Sequence, residues 1–206
     1  MKDQDFIRGI VVTADQQHSR RHPDEVPRAL ARLHDLDGFT LGWERTVGDE
    51  IQALATEPAA VMRAVTALVR LQGWQLGIGV GAVEAPLPDS TRAARGPAYV
   101  AAREAVDRAK TTPVAVAVSG DDTAELEAAV WLYVAVLGRR TPEGWEAADL
   151  LAEGQTQAEI AATLGISASA VSQRVARAAV DVADAGANLV VRLLGRALDQ
   201  SVGASG

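Results

Sequence analysis

The segment that most constrains this chain is Thr156–Val175, which predicts two short helices separated by a tight turn. Ile160 and Leu164 lie one helical turn apart before the turn. Val171 and Val175 repeat that spacing after it. Because residues four apart share one face of a helix, each helix is expected to bury one face and expose the other. The pattern is that of a helix-turn-helix.

The ends of both predicted helices carry capping residues. Thr156 followed three residues later by Glu159 is a capping-box pattern, in which each side chain accepts from a free N–H group of the first helical turn. Gly165 is suited to the left-handed backbone that ends the first helix. Ser167 is the expected N-cap of the second helix. Caps, turn and apolar faces therefore predict the same structure.

Composition limits the class of protein. The chain has 206 residues, of which 48% are hydrophobic and 23% charged, enough for one large or two small folded domains. It has no cysteine and three histidines, which excludes disulfides and thiolate metal sites and argues against zinc. The sequence lacks a long apolar run, and Met1–Asp5 lacks the features of a signal peptide. We therefore expect a cytoplasmic protein without membrane contact.

The charge of the chain bears on nucleic-acid binding. The formal net charge is −7, which argues against a surface that attracts phosphates everywhere. Residues 168–180 nevertheless carry Arg174 and Arg177 and no acidic residue, and the next acids are Asp181 and Asp184. Such a small basic surface predicts that two copies act together.

The first part of the chain alternates between strand and helix patterns. An apolar strand is predicted over 6–14 and ends at Asp15, and Gly77, Gly79 and Gly81 lie in a later strand where they would permit close backbone packing. The other predicted elements are a helix from Pro27, a hairpin of 41–47 and 51–55, a helix from Pro58, a strand over 75–83, a helix over 96–110 and a strand over 113–118.

From Asp121 onward the pattern is helical throughout, beginning with a long apolar helix over 123–137. We therefore predict a first domain of residues 1–120, a connecting helix and linker over 121–141, and a helical domain over 142–206. The last domain includes a helix over 182–198 and a frayed tail over 201–206.

Two carboxylates of the first domain are candidate metal ligands. Asp15 follows the first strand and Asp49 lies at the tip of the hairpin. Mg²⁺ prefers oxygen ligands and often takes only one or two carboxylates, with water and substrate phosphate at its other positions. A Gly-Asp turn can also hold an aspartate for turn geometry alone. Both interpretations stay open, and Mg²⁺ is the candidate cofactor.

Four features follow one another along residues 6–119: Asp15 after an apolar strand, the segment Arg45-Thr-Val-Gly-Asp49, the glycines of 77–81 and the segment from Gly96 to Arg103. In this order they resemble SatD-family proteins. The same succession is similar to the class III nucleotidyl cyclase and GGDEF fold. It implies a ferredoxin-like βαββαβ core with metal ligands at Asp15 and Asp49. It also implies nucleotide contacts, with Arg45 near a base-contacting lysine and Arg103 near the arginine that stabilises the transition state.

The sequence departs from the cyclase pattern at two places. Cyclases have an asparagine one helical turn before that arginine, and here the position is Tyr99. Of the GGDEF signature only Gly48-Asp49-Glu50 remains, and Ile51 replaces the phenylalanine. These changes favour binding of a nucleotide or metal without turnover. The alternative is a metal-dependent nucleotidyl-transfer enzyme that uses Asp15 and Asp49.

The helix-turn-helix is similar to those of LuxR-type regulators and sigma-factor region 4, on Glu159-Ile-Ala and Leu164-Gly-Ile-Ser. Such a unit places its second helix in the major groove of double-stranded DNA. Gln173 suits adenine, Arg174 suits guanine, and hydroxyls at the helix start suit phosphates. The predicted DNA-binding residues are Ser167, Ser169, Ser172, Gln173, Arg174 and Arg177. A protein-docking module is the alternative.

The apolar stripe of Leu189, Val190, Leu193 and Leu194 favours a homodimer, because one small domain would leave part of it uncovered. The predicted fold class is α+β, a ferredoxin-like (cyclase- or palm-type) βαββαβ domain followed by an all-α helix-turn-helix domain. The predicted function is a DNA-binding transcriptional regulator whose first domain senses a nucleotide or divalent metal. An enzyme and an interaction scaffold are the alternatives.

Overall fold

The computed structural model describes residues 5–19 and 21–199, so the predicted tail over 201–206 lies outside the described residues. Strands and helices alternate up to residue 119, after which the described chain is helical. The strands are β1 (Asp5–Gln16), β2 (Phe39–Arg45), β3 (Glu50–Ala55), β4 (Trp74–Ala85) and β5 (Val116–Ser119). The helices are α1 (Val26–His34), α2 (Pro58–Leu71), α3 (Pro97–Ala109), α4 (Ala124–Leu137), α5 (Pro142–Ala152), α6 (Gln157–Leu164), α7 (Ala168–Arg177) and α8 (Val180–Asp199).

The five strands form one sheet in the order β2-β3-β1-β4-β5. β1 lies antiparallel to both β3 and β4, and β2 and β3 form the predicted hairpin. This is the ferredoxin-like βαββαβ arrangement. β5 then adds a parallel strand beside β4, with α3 as the crossover. The predicted α+β fold class is confirmed.

The last strand is shorter than predicted. The sequence indicates a strand over 113–118, whereas β5 begins at Val116. Ala115 has a φ of 55°, which lies in the left-handed region and interrupts the extended backbone before the strand.

The two faces of the sheet are covered by different helices. Ile10 and Val12 of β1 are fully buried in the main core, together with residues of α1, α2, α4 and α8. Val11 points the other way and lies in a second cluster with Ala98 and Ala102 of α3. Because successive side chains of a strand alternate between faces, the buried residues of β1 contribute to the apolar clusters on both sides of the sheet.

The glycines of β4 allow α3 to lie directly on the sheet, as predicted. A Cβ on Gly79 would lie 2.2 Å from the backbone nitrogen of Ala102, and one on Gly77 would lie 2.2 Å from that of Val106. Side chains at these positions would force the helix away from the strand.

The C-terminal helix α8 packs on α4 and α2 and reaches β1 and β4. Val190 and Leu194 are fully buried in the same core as the sheet, whereas Leu189 is 41% exposed. Arg8 of β1 donates to the carbonyl oxygens of Ala197 and Leu198, at 3.0 and 3.2 Å. Half of the apolar stripe that suggested a dimer is thus covered within the chain. The predicted domain limits stay predictions.

Within residues 5–19 and 21–199, no helix combines the length and the apolar character needed to cross a bilayer.

Candidate functional site

Helices α5, α6 and α7 form a compact unit in which the predicted helix-turn-helix is α6 and α7. Ile160 of α6 and Val171 of α7 are fully buried, which fixes the two helices against each other. Leu164, Ile166 and Val175 are partly buried around them. α5 packs against both of the later helices. The apolar faces predicted from the sequence therefore meet inside this unit.

The caps of the unit are formed as predicted. The backbone N–H of Thr156 donates to the Glu159 carboxylate at 2.7 Å, and the N–H of Glu159 donates to Thr156 Oγ1 at 3.3 Å. Gly165 has a φ of 64° and ends α6 in the left-handed region. Ser167 Oγ accepts from the N–H of Ala170 at 3.1 Å. These bonds fix the angle at which α7 leaves the turn.

The outer face of α7 is polar. Ser169, Ser172, Gln173 and Arg177 are exposed, and Ser167 is exposed at the helix start. Hydroxyl, amide and guanidinium groups are the donors that contact phosphates and base edges. The structure thus brings five of the six predicted DNA-binding residues to one accessible surface.

Arg174 is placed differently from the expectation that it faces outward. Its Nη1 donates to Glu146 of α5 at 3.2 Å, and its side chain is 29% exposed. The ion pair joins α5 to α7 through two residues that are 28 positions apart in the sequence. In this arrangement Arg174 contacts α5 instead of facing outward.

Arg139 belongs to the same surface and was missed by the sequence interpretation. It lines a cleft of about 280 Å³ with Arg174 and Arg177, at the N-terminal end of α5. The sequence signal for Arg139 is its position two residues before Thr141, the N-cap of a helix that begins at Pro142. Three guanidinium groups and one carboxylate, Glu143, line this cleft beside a helix N-terminus, so arginines outnumber acids there and a phosphate group could be accommodated.

A few side chains attach the unit to the sheet domain. Arg70 of α2 forms an ion pair with Asp149 of α5 at 2.7 Å. The guanidinium groups of Arg70 and Arg140 lie 5.1 and 4.8 Å from the ring centroid of Trp145. Arg140 Nε also donates to the carbonyl oxygen of Ala178, at 2.7 Å. Cation–π contacts and ion pairs thus connect α5 to its neighbours.

The two candidate metal ligands lie together on the α3 side of the sheet. Burial raises the pKa of the Asp15 carboxyl, and the neighbouring Asp49 carboxylate raises it further. Lys110 opposes both effects with its Nζ 3.7 Å from Asp15 Oδ2. Two close carboxylates can share a proton or a cation, so the donor set suits a hard divalent ion. Their role as metal ligands stays a prediction.

The other predicted nucleotide contacts are engaged with neighbouring groups. Arg103 forms an ion pair with Glu50, which lies opposite Asp15 in the β1–β3 ladder. Arg45 pairs with Asp24 at 2.7 Å and donates to the carbonyl oxygen of Gly48. Arg103 therefore lies close to the carboxylate pair, while Arg45 braces the hairpin.

Tyr99 packs in the second apolar cluster, and its hydroxyl lies 3.1 Å from Thr91 Oγ1. Burial raises the pKa of the Tyr99 phenol, so the group stays protonated. Across residues 5–19 and 21–199, no group of three or more histidine, aspartate or glutamate side chains could hold a metal ion. A metal at this site would depend on the carboxylate pair plus water or substrate.

The comparison with protein families concerns the helical unit. Residues 147–181 match the family model of Sigma-70, region 4. The matched segment contains all of α6 and α7 and most of α5. It indicates a DNA-binding regulator with a helix-turn-helix of the region 4 kind.

Two solved structures are similar to this chain. One is a bacterial light-regulated adenylyl cyclase, with 16% identity, a TM-score of 0.42 and coverage of 56% of this chain and 44% of that one. The other is a regulator of polyketide synthase expression from Bifidobacterium adolescentis, with 19% identity, a TM-score of 0.30 and coverage of 97% and 83%. This chain thus spans less than half of the cyclase. The search of curated proteins found no match.

Proposed function

We propose that this protein is a DNA-binding transcriptional regulator that contacts duplex DNA through α7. One observation carries the proposal: the segment that matches Sigma-70 region 4 folds into capped helices, and α7 presents an exposed polar face. A helix-turn-helix binds DNA when its second helix enters the major groove. The fold provides the turn, the caps and the accessible helix that this mode requires.

The side chains divide between positioning and base recognition. Gln173 can pair bidentately with adenine from the exposed face of α7. Ser167 and Ser169 at the helix start, and Arg177 and Arg139 at the cleft, are suited to phosphates. Arg174 can pair with guanine after it leaves Glu146. Phosphate contacts would set the register of α7, and Gln173 would supply sequence discrimination.

The charge of the unit supports a paired arrangement on DNA. Helices α5 and α6 carry Glu143, Glu146, Asp149 and Glu159, while the basic groups are confined to one end. A single unit would neutralise few phosphates and would bind weakly at physiological salt. We therefore propose that two copies bind together as a homodimer, with exposed apolar residues of α8 such as Leu189 available for pairing.

Selection of duplexes from a randomised pool, followed by anisotropy titration, tests the DNA contact. Gln173→Ala should weaken binding by about 1–3 kcal/mol, and Arg177→Ala should weaken binding to all sequences and lower its dependence on salt. Arg95→Ala, an exposed arginine between β4 and α3, is the control and should leave affinity unchanged. Failure to enrich any duplex at low salt would contradict the proposal and would favour a protein-docking role. Sedimentation with and without the selected duplex tests the dimer.

We propose in addition that the sheet domain, cyclase-like but catalytically inactive, senses a nucleotide or Mg²⁺ at Asp15 and Asp49. Two carboxylates beside Arg103 and Lys110 are suited to a metal-bound phosphate. The likeness of residues 6–119 to the SatD family and the position of Arg45 belong to the same proposal. Mg²⁺ with ATP or GTP should raise the melting temperature, and Asp15→Asn should abolish the rise.

The second candidate function is a nucleotidyl-transfer enzyme, favoured by the same proximity of Asp15 and Asp49. Tyr99 in place of the cyclase asparagine opposes it, because a partly buried phenol next to Thr91 cannot supply the orienting amide. Incubation with ATP or GTP and Mg²⁺ separates the two. Product that Asp49→Asn abolishes would establish the enzyme, and its absence alongside a ligand-induced thermal shift would support the sensor.

A further inference from the structure

A cleft of about 410 Å³ lies where α1, α2, α4 and α8 meet α5, away from the carboxylate pair and from α7. Its floor is largely apolar and includes Met62, Ala67, Tyr133, Trp145 and Val191. Small-molecule sites in proteins are typically clefts of about 300–1,000 Å³ with apolar walls and a few placed polar groups. The size and lining of this cleft match that description.

The rim of the cleft is cationic, although the whole chain has a net charge of −7. Arg32, Arg63 and Arg70 line it with one carboxylate, Asp149. A second cleft of about 600 Å³ shares Arg32 and Arg70 and adds Arg28 and Asp35. A local excess of guanidinium groups over an apolar floor is complementary to a molecule that has a hydrophobic body and a negative group.

Inside the cleft, one hydroxyl pair is satisfied within the protein. Thr66 Oγ1 donates to the carbonyl oxygen of Met62 at 2.8 Å, and it lies 2.7 Å from the Tyr133 hydroxyl. Since a threonine hydroxyl has one proton, Tyr133 must donate to Thr66, and neither hydroxyl keeps a proton for an anionic ligand. The donors for an anion are therefore the arginines of the rim, and Tyr133, which is 6% exposed, belongs to the floor.

The same residues attach α5 to the sheet domain. Arg70 bonds Asp149 and lies over Trp145, and all three line the cleft. A carboxylate that entered here would compete with Asp149 for Arg70. Occupancy would therefore alter the connection through which the unit of α5–α7 is held.

We infer that this cleft is an effector site for a small aromatic or branched carboxylate, and that its occupancy changes DNA binding by α7. The second half of this inference rests on the proposed DNA-binding function, and the first half does not. The anionic group pairs with Arg70, and the apolar body lies on the floor beside Trp145 and Val191.

Titration of the full-length protein with 1-naphthoate, followed by tryptophan fluorescence and calorimetry, tests the site without DNA. Arg70→Gln should weaken binding about tenfold, and Asp149→Asn should strengthen it several-fold, because the competing carboxylate is gone while the cation stays. Val191→Phe should block the floor. Equal affinities in the Arg70 and Asp149 variants, or equal binding of neutral 1-naphthalenemethanol, would overturn the site.

A second titration measures DNA affinity with and without saturating 1-naphthoate. A several-fold change that Arg70→Gln removes would support the coupling, because linked sites shift each other's affinity equally. Unchanged affinity with a saturated cleft would overturn the coupling. If no duplex is bound under any condition, the DNA-binding function fails and the naphthoate titration still decides the site.

Discussion

At the scale of single residues, Arg174 pairs with an acid of the neighbouring helix, although the proposed function gives it a DNA contact. Its ion pair with Glu146 joins α5 to α7 and keeps the guanidinium partly covered. The pair is exposed enough that its net contribution to stability is expected to be small, about 0–1 kcal/mol. Removing the Glu146 carboxylate is therefore expected to cost little stability and to release the Arg174 guanidinium.

We predict that Glu146→Gln tightens DNA binding. The change removes a negative charge beside the contact surface and releases Arg174 for base or phosphate contact. Affinity for a selected duplex should rise several-fold in an anisotropy titration, with a steeper dependence on salt. Glu153→Gln, at the exposed end of α5, is the matched control and should change affinity less. Weaker binding by the Glu146 variant would show that the ion pair positions α7.

We predict that Asp15→Asn stabilises the fold at neutral pH. Burial and Asp49 raise the pKa of Asp15 in the folded state, so its ionisation destabilises the fold fully above that pKa, less as pH falls through it, and not at all below the pKa of the unfolded chain. The gain in melting temperature should therefore be present at neutral pH and lost in acid. Asp107→Asn is the contrasting control, since Lys110 at 2.7 Å lowers the pKa of Asp107. It should give no gain.

The residue pairs differ in how far the sequence predicts them. The resemblance to the cyclase fold predicts that Asp15 and Asp49 share a site, because that fold takes its metal ligands from the first strand and the hairpin. The pairing of Arg174 with Glu146 could not be predicted, since helix periodicity places Arg174 on a face but does not say which α5 side chain lies opposite. The contact of Asp149 with Arg70 could not be predicted for the same reason. Such contacts depend on how helices dock.

At the scale of elements, the contact between β4 and α3 depends on glycines. We predict that Gly79→Ala costs more than about 2 kcal/mol in the free energy of unfolding, because its Cβ would overlap the backbone of α3. Gly42→Ala on β2 is the control, since no atom lies within 4 Å of its Cβ position. Urea unfolding of both variants measures the difference. Similar costs would mean that α3 can shift without loss.

The turn between α6 and α7 gives a second prediction. Gly165→Ala should lose about 1 kcal/mol, because its φ of 64° disfavours a side chain even though the space is open. Gly195→Ala lies in the interior of α8, also in open space, and should gain about 0.5–1 kcal/mol. Hydrogen exchange of α6 and α8 amides separates the two effects. A change of the same sign in the free energy of unfolding of both variants would contradict the role assigned to Gly165 in the turn.

Most elements were predicted because their signals are local. Capping residues, a glycine in the left-handed region and alternating apolar residues define α6, α7 and β1 within a few positions. The start of β5 was placed too early, since Val114 and Ala115 continue the apolar pattern while the backbone at Ala115 turns. The sequence could not predict that α4 and α2 cover Val190 and Leu194, because an apolar stripe on a helix does not say which surface packs against it.

At the scale of the whole molecule, α8 closes the chain onto its first strand. Arg8 donates two charged hydrogen bonds to the last carbonyls of α8. Its positive charge also interacts favourably with the negative end of the helix dipole there. We predict that Arg8→Ala costs about 1.5–3 kcal/mol and increases hydrogen exchange at the end of α8. Arg192→Ala, exposed on the same helix, should cost much less. An unaffected α8 would mean that its apolar contacts alone hold it.

The bond from Arg140 to the carbonyl of Ala178 has a consequence for how the chain enters and leaves the unit of α5–α7. It joins a residue two positions before α5 to the residue just after α7, while α4 and α8 on either side pack together on the sheet. The chain therefore enters and leaves the three short helices at neighbouring positions. Trp145 of α5 lies next to the same place, in contact with Arg140 and with Arg70 of α2. One shared set of contacts thus fixes both ends of the unit.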